Sequence, residues 1–252
     1  MNIYYLNISA ANCNYTLSVN DFAIFKDDSG LQLHTEEPFN HLVFNQELLL
    51  QIDLKPIKSE LFLSENVIFK CKIIEKNRAL KTENIVLEYA FSESSKKLPF
   101  FNFRKIIAIS KPNFTPVWTR GEKLELNERL ISSLRNGYQK FWKILKEENY
   151  IELEKVIKLK EKTYSDCYGI PHEDRLNMSK KIYHNIINDK EYELLDFRPE
   201  FFDPVISCFG KVASLQDKDG FHPTVYLKKD ETGTRNIPVY FSKIDGEFKI
   251  VL

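Results

Sequence analysis

The stretch VYLKKDETGTRNIPVYFSKIDGEFKIVL, residues 225–252, decides the fold of the C-terminal half. Its apolar residues alternate with polar ones, which is the period of a strand with one buried face. Asp230-Glu231-Thr232-Gly233 and Asp245-Gly246 separate the alternating runs, and such residues tolerate the positive φ angles of hairpin turns. Together with the turn at Asp217-Lys218-Asp219-Gly220, residues 201–252 predict an antiparallel meander of four strands.

Helical periodicity precedes this sheet. Apolar residues fall three and four positions apart from residue 126 onward, so they form one stripe on a helix that Asn127 is placed to cap. Two more helices are predicted over about residues 151–163 and 173–195, separated by the breaker Gly169-Ile170-Pro171. Helices followed by a curved terminal sheet predict a compact α+β domain.

The first 120 residues instead carry short alternating runs separated by polar turns. The candidate strands are residues 2–9, 15–19, 22–25, 42–54, 67–74, 85–91, 100–109 and 117–118. Short strands at this spacing are typical of a β-sandwich. The fold class predicted is therefore α+β. An N-terminal antiparallel β-sandwich, residues 1–120, is followed by a domain with three helices and a curved four-stranded antiparallel sheet, residues 121–252.

Composition and charge narrow the classes of function. The chain has 252 residues, of which 43% are hydrophobic and 29% charged, so a packed core is expected. Its 36 basic and 36 acidic side chains balance, whereas a nucleic-acid-binding protein carries a basic excess. No apolar run approaches the about 20 residues of a membrane span, and the N-terminus does not have the pattern of a signal peptide. We expect a cytoplasmic protein with no nucleic-acid or membrane partner.

No motif in the sequence specifies a chemistry. The histidines lack the spacing of a metal site, and the four cysteines form no CxxC pair. Nucleophile-elbow, P-loop and GxGxxG motifs are also absent from the sequence. Asp217 opens a run like a calcium loop, but Lys228 stands where the bidentate Glu is required. We expect no catalytic residue, no metal and no cofactor. By elimination, an enzyme would use His184 or His222 with a nearby carboxylate.

Two stretches resemble known families. Tyr138-Gln139-Lys140-Phe141-Trp142, with the helix that follows from Asn149-Tyr150-Ile151, resembles the opening helices of nuclear-transport-factor-2-like domains. Asp245-Gly246-Glu247-Phe248-Lys249-Ile250-Val251 is similar to the final strand of that family. Near the N-terminus, Val19-Asn20-Asp21 and Leu48-Leu49-Leu50-Gln51-Ile52 resemble jelly-roll modules of the galactose-binding type.

Bacterial toxin-immunity proteins, including those of type VI secretion, resemble this combination of a common scaffold, no leader and no catalytic motif. The resemblance implies an immunity protein that neutralises a cognate secreted antibacterial toxin by direct stoichiometric binding. Two alternatives stay open. One is a small-molecule isomerase or hydrolase that uses a cavity in the C-terminal domain, and the other is a carbohydrate- or protein-binding accessory module.

Candidate partner-binding residues come from charge and from strand alternation. Residues 1–50 carry six acidic side chains against Lys26 alone, which favours a basic partner or a simple solvated edge. The acidic candidates are Asp27, Asp28, Glu36 and Glu37. Tyr226 and Tyr240 alternate away from their aliphatic neighbours, so they are either exposed interface residues or residues that cover the helices.

Overall fold

The computed structural model describes residues 1–58, 60–92 and 97–252. Its contacts divide the chain into two compact units, Met1–Phe114 and Thr115–Leu252. The fold class is α+β, as predicted, with strands in the first unit and helices followed by antiparallel sheets in the second.

Two four-stranded antiparallel sheets build the first unit, in the orders β4-β1-β6-β7 and β3-β2-β5-β8. The strands are β1 (Asn2–Ala11), β2 (Asn14–Val19), β3 (Phe22–Asp27), β4 (Leu33–Pro38), β5 (Glu47–Lys55), β6 (Ile68–Asn77), β7 (Thr82–Ala90) and β8 (Phe101–Ala108). Ring contacts join the sheets, with centroids 5.5 Å apart for Tyr15 and Phe69 and 4.3 Å apart for Tyr89 and Phe103. The inner faces therefore share one core, which is the β-sandwich arrangement.

Three details of the first 120 residues differ from the prediction. The polar strand β4 was not predicted, because it is an edge strand held by β1 on one side. The strand predicted from residue 42 begins only at Glu47, because residues 40–42 form a 3₁₀ turn. In this turn the buried Asn40 side chain accepts a hydrogen bond from Tyr4 N at 2.6 Å. Residues 117–118 belong to the 3₁₀ turn Val117–Arg120, which Thr119 Oγ1 closes by donating to Pro116 O at 2.7 Å.

Helices precede the sheets in the second unit. They are α1 (Glu128–Lys146), α2 (Tyr150–Tyr168) and α3 (His172–Ile187). Asn127 caps α1 as predicted, since its side chain accepts from Leu130 N at 2.9 Å. Leu126 precedes this cap and is 63% exposed, so it lies outside the buried stripe. Gly169 ends α2 with a φ of 64°, the left-handed conformation that glycine adopts at little cost.

The C-terminal strands form two sheets rather than one meander. The strands are β9 (Tyr192–Leu194), β10 (Asp203–Ser207), β11 (Val212–Gln216), β12 (Val225–Lys228), β13 (Thr234–Asn236), β14 (Phe241–Ile244) and β15 (Glu247–Ile250). One sheet has the order β10-β11-β14-β15 and the other β13-β12-β9. Pro238 separates β13 from β14 and cannot donate a ladder hydrogen bond. Because β9 pairs with β12, α3 ends at Ile187 rather than near residue 195.

Limited proteolysis tests whether the two units fold independently. Residues 109–116 carry neither helix nor strand, and all of them except Pro116 are at least partly exposed, so a protease can reach this link. We expect early proteinase K cuts to concentrate in residues 111–121 and to release two fragments that resist further digestion. Mass spectrometry of a digestion time course locates the cuts. Early cuts within the sheets, with this segment left intact, would contradict the expectation.

Candidate functional site

The four predicted acidic residues lie along one edge of the sandwich. Strand β3 is the edge of one sheet and β4 is the edge of the other, and residues 28–32 connect them directly. Asp27 ends β3, whereas Glu36 and Glu37 lie on β4. We call this surface, residues 27–37, the β3–β4 edge.

Two of these carboxylates have structural partners. Glu36 Oε1 lies 2.7 Å from Lys76 Nζ, in an ion pair across the sheet surface. Asp27 accepts hydrogen bonds from Ser29 Oγ at 2.7 Å and from Gly30 N at 3.1 Å, and so it closes the turn after β3. Asp28 and Glu37 are exposed. They present most of the negative charge of the edge to solvent.

The turn between β3 and β4 is tightly held. Gly30 has a φ of +68°, and a Cβ added there would lie 2.4 Å from Ile57 Cγ2. Asn12 N donates to Gly30 O at 3.0 Å, and Leu31 N donates to Ser29 Oγ at 3.1 Å. The turn is therefore preformed, which reduces the ordering cost that binding would otherwise incur.

Leu31 and Leu33 are the residues of this edge that the sequence analysis missed. Leu31 is 72% exposed and Leu33 is 36% exposed, between the acidic residues of the two strands. The available signal was an apolar pair flanking Gln32 immediately after a turn glycine. An apolar side chain within a polar rim has the anatomy of a protein–protein contact.

The sequence left open whether Tyr226 and Tyr240 are exposed or face the interior, and the structure turns both at least partly inward. Tyr226 is 3% exposed and belongs to the core of the second unit. Burial raises the pKa of its hydroxyl to about 12. Tyr240 is half-buried, with its ring centroid 4.8 Å from that of His222. Tyr226 is therefore a core residue, and Tyr240 is only partly accessible to a partner.

His222 and His184, the candidate bases of an enzyme, have different surroundings. His222 is 1% exposed, and its Nδ1 lies 2.7 Å from the Tyr138 hydroxyl. Burial, with a contribution from the charge of Lys160, lowers the pKa of His222 to about 3. A base with so low a pKa takes up protons poorly near neutral pH. His184 is exposed on α3 and stacks on Tyr150, with ring centroids 5.5 Å apart.

The cysteines are buried and free of disulfides in the described residues. Burial raises the pKa of Cys71 to about 12 and, together with the charge of Asp27, that of Cys13 to about 11. Such thiols are poor nucleophiles, because the thiolate is the reactive form. Within residues 1–58, 60–92 and 97–252, no group of three or more His, Cys, Asp or Glu side chains is placed to hold a metal ion.

No protein-family model, no curated protein and no solved structure matches the chain. The resemblances to nuclear-transport-factor-2-like, jelly-roll and immunity proteins therefore stay predictions. In the part of the chain that the structure describes, no helix combines the length and the apolarity that crossing a membrane requires.

Proposed function

We propose that this protein is a cytoplasmic immunity protein that neutralises a cognate secreted antibacterial toxin by direct stoichiometric binding through the β3–β4 edge. The observation that carries the proposal is the preformed turn that presents Leu31, 72% exposed, between Asp28 and Glu37. A few side chains near the centre of an interface contribute most of the binding energy, and a surrounding rim shields them from water. The matching toxin surface has an apolar pocket with basic side chains around it.

The acidic rim and the leucine contribute to different steps of binding. Opposite charges accelerate the encounter of two proteins, and this acceleration weakens as salt increases. The apolar anchor acts after docking, so it determines mainly how slowly the complex dissociates. Inhibition by binding requires only a complementary surface of about 800 Å² on each partner. His222 is held in a buried hydrogen bond with Tyr138 and has a lowered pKa, which favours a binding protein over an enzyme that uses His222 as its base.

Replacing Leu31 with Ser is expected to weaken toxin binding about thirtyfold, since loss of a central anchor costs about 2 kcal/mol. The change keeps the net charge, so the faster dissociation reports the apolar contact alone. Leu80→Ser is the matched control, because Leu80 is also 72% exposed and lies in the β6–β7 turn. Surface plasmon resonance measures both rate constants. Equal dissociation rates for the two variants would exclude Leu31 as the anchor.

Reversing the exposed charges, Asp28→Lys with Glu37→Lys, is expected to slow association and to flatten its salt dependence, because the rim then repels a basic toxin. Glu193→Lys with Glu200→Lys is the control, since both are exposed carboxylates in the second unit and the net charge changes equally. Association rates measured over a series of salt concentrations distinguish this double variant from the control double variant. If both pairs slow association equally, net charge rather than this edge steers the encounter.

A further inference from the structure

The second unit contains a cavity of about 230 Å³ against α2, α3 and residues 236–238. Lys160 and Glu161 of α2 and Arg175 of α3 line its polar side. Ile186 and Ile237 line an apolar side. All of these residues belong to the second unit, so the cavity includes no residue of the β3–β4 edge.

The carboxylate in this cavity wall needs a hydrogen-bond donor. Glu161 is fully buried, and its Oε2 lies 2.7 Å from Arg175 Nε in an ion pair that lacks hydrogen-bond geometry. Its Oε1 is also buried and accepts no hydrogen bond among the described residues. Buried polar atoms without such a bond are rare in native proteins, because the lost contact with water is not replaced. A molecule that completes this wall is therefore one that donates a hydrogen bond to Glu161.

The charges of the cavity disfavour a ligand that is itself charged. Burial alone would lower the pKa of Lys160, but neighbouring groups, chiefly Tyr183, outweigh burial and raise that pKa above its usual value. Lys160 therefore carries its charge at neutral pH, beside the ion pair of Glu161 and Arg175. A ligand ammonium would be repelled by Lys160 and Arg175, whereas a ligand carboxylate would be repelled by Glu161 and could not donate to it. A neutral group that both donates and accepts hydrogen bonds avoids both repulsions.

We propose that this cavity binds a small primary carboxamide with an aliphatic or aromatic body, independently of toxin binding. The amide N–H group donates to Glu161, and the amide oxygen accepts from the ammonium group of Lys160. The body of the ligand packs on Ile186 and Ile237. A cavity of about 150 Å³ accommodates benzene. The volume of about 230 Å³ therefore suits an amide the size of benzamide or 4-methylpentanamide.

Titration of the full chain with benzamide and 4-methylpentanamide, followed by NMR chemical shifts, tests the proposal. Acetophenone and 5-methylhexan-2-one are the matched probes, because a methyl group takes the place of the amide nitrogen and removes the donor. Saturable binding of at least one amide is expected, with its ketone about tenfold weaker or worse, since the hydrogen bond to a charged acceptor is lost. Benzoate is also expected to bind more weakly than benzamide, because it lacks the donor and is repelled by Glu161. Absent saturation by both amides, or binding of the ketone or of benzoate as tight as that of the amide, would overturn the proposal.

A pair of variants locates the bound amide without altering the buried charges. Ile182 lines the cavity and is 51% exposed, so Ile182→Trp should obstruct the cavity without disturbing the core. Met178 is 48% exposed on the same helix and does not line the cavity, which makes Met178→Trp the matched control. Thermal melting establishes that both variants are folded, and the comparison of amide with ketone in the wild type depends on neither. Amide binding lost in Ile182→Trp alone supports the site, whereas equal binding in both variants refutes it.

Discussion

Replacing Tyr138 with Phe is expected to destabilise the protein by about 3 kcal/mol or more, since each buried polar group left unpaired costs about 1–3 kcal/mol. Tyr138 is fully buried on α1, and its hydroxyl donates to Val239 O at 2.6 Å. The same oxygen accepts from Leu215 N at 3.3 Å and lies 2.7 Å from His222 Nδ1. A tyrosine hydroxyl has one donor and two acceptor positions, so all are in use and His222 carries its proton on Nδ1. The substitution leaves three groups without this partner.

Tyr15→Phe removes the same atom from a different environment. The Tyr15 hydroxyl oxygen is buried and has no hydrogen-bond partner among the described residues. Its removal should therefore be neutral or slightly stabilising, because no bond is lost and an unsatisfied group disappears. Calorimetry compares the variants, and a loss of about 3 kcal/mol corresponds to a fall in Tm of about 6–12 °C. Equal melting of Tyr138→Phe and wild type, or an equal fall for both variants, would contradict this account.

Acidification is expected to destabilise the protein through His222 before the carboxylates titrate. The pKa of His222 is lowered from 6.5 to about 3 by burial and by the charge of Lys160. Between these values the unfolded chain binds a proton that the folded protein does not, so the free energy of unfolding falls as pH falls. One such proton changes it by up to about 1.4 kcal/mol per pH unit.

His222→Asn isolates this contribution. The asparagine amide can still donate toward Tyr138, but it does not titrate. Hydrogen bonds and ion pairs with partners such as Lys155 and Thr232 lower the pKa of Glu152 and Asp230 below their ordinary values. The stability that these carboxylates contribute is therefore lost only under more acidic conditions, below about pH 5. Urea unfolding between pH 6.5 and about pH 5 should show a slope in wild type and a flatter profile in the variant. Identical slopes would exclude His222 as the titrating group.

Local signals in the sequence predicted the helical part of the fold well. Asn127 has the side chain that an N-cap requires, and Leu134, Tyr138 and Phe141 fall on the stripe that is buried. Strand pairing was harder to predict, because it joins residues far apart in the chain. The pairing of β9 with β12 shortened α3, and it divided the predicted meander between two sheets.

The candidate site likewise has features that local sequence signals predicted and features that depend on contacts between residues far apart in the chain. The charge count identified the four acidic residues, because clustering of charge is visible in one dimension. Alternation of side chains along a strand separates its two faces but does not show which face is buried. The sequence therefore left the burial of Tyr226 undecided. The turn that presents Leu31 lies close to Ile57, far away in the sequence, and the pairing of Glu161 with Arg175 depends on how α2 meets α3. The first has only the partial local signal of an apolar pair that flanks Gln32 after a turn glycine, and the second has no local signal.

The most direct test of the central claim is to capture the partner of this protein and to measure whether this protein protects growing cells from it. Wild-type protein, Leu31→Ser and Leu80→Ser are used in parallel to capture proteins from a lysate of the organism that encodes the chain. A protein retained by wild type and Leu80→Ser, and not by Leu31→Ser, is identified and expressed alone. We predict that it arrests growth, and that co-expression of wild type, and not of Leu31→Ser, restores growth. A retained protein that is harmless, or full protection by Leu31→Ser, would contradict the account.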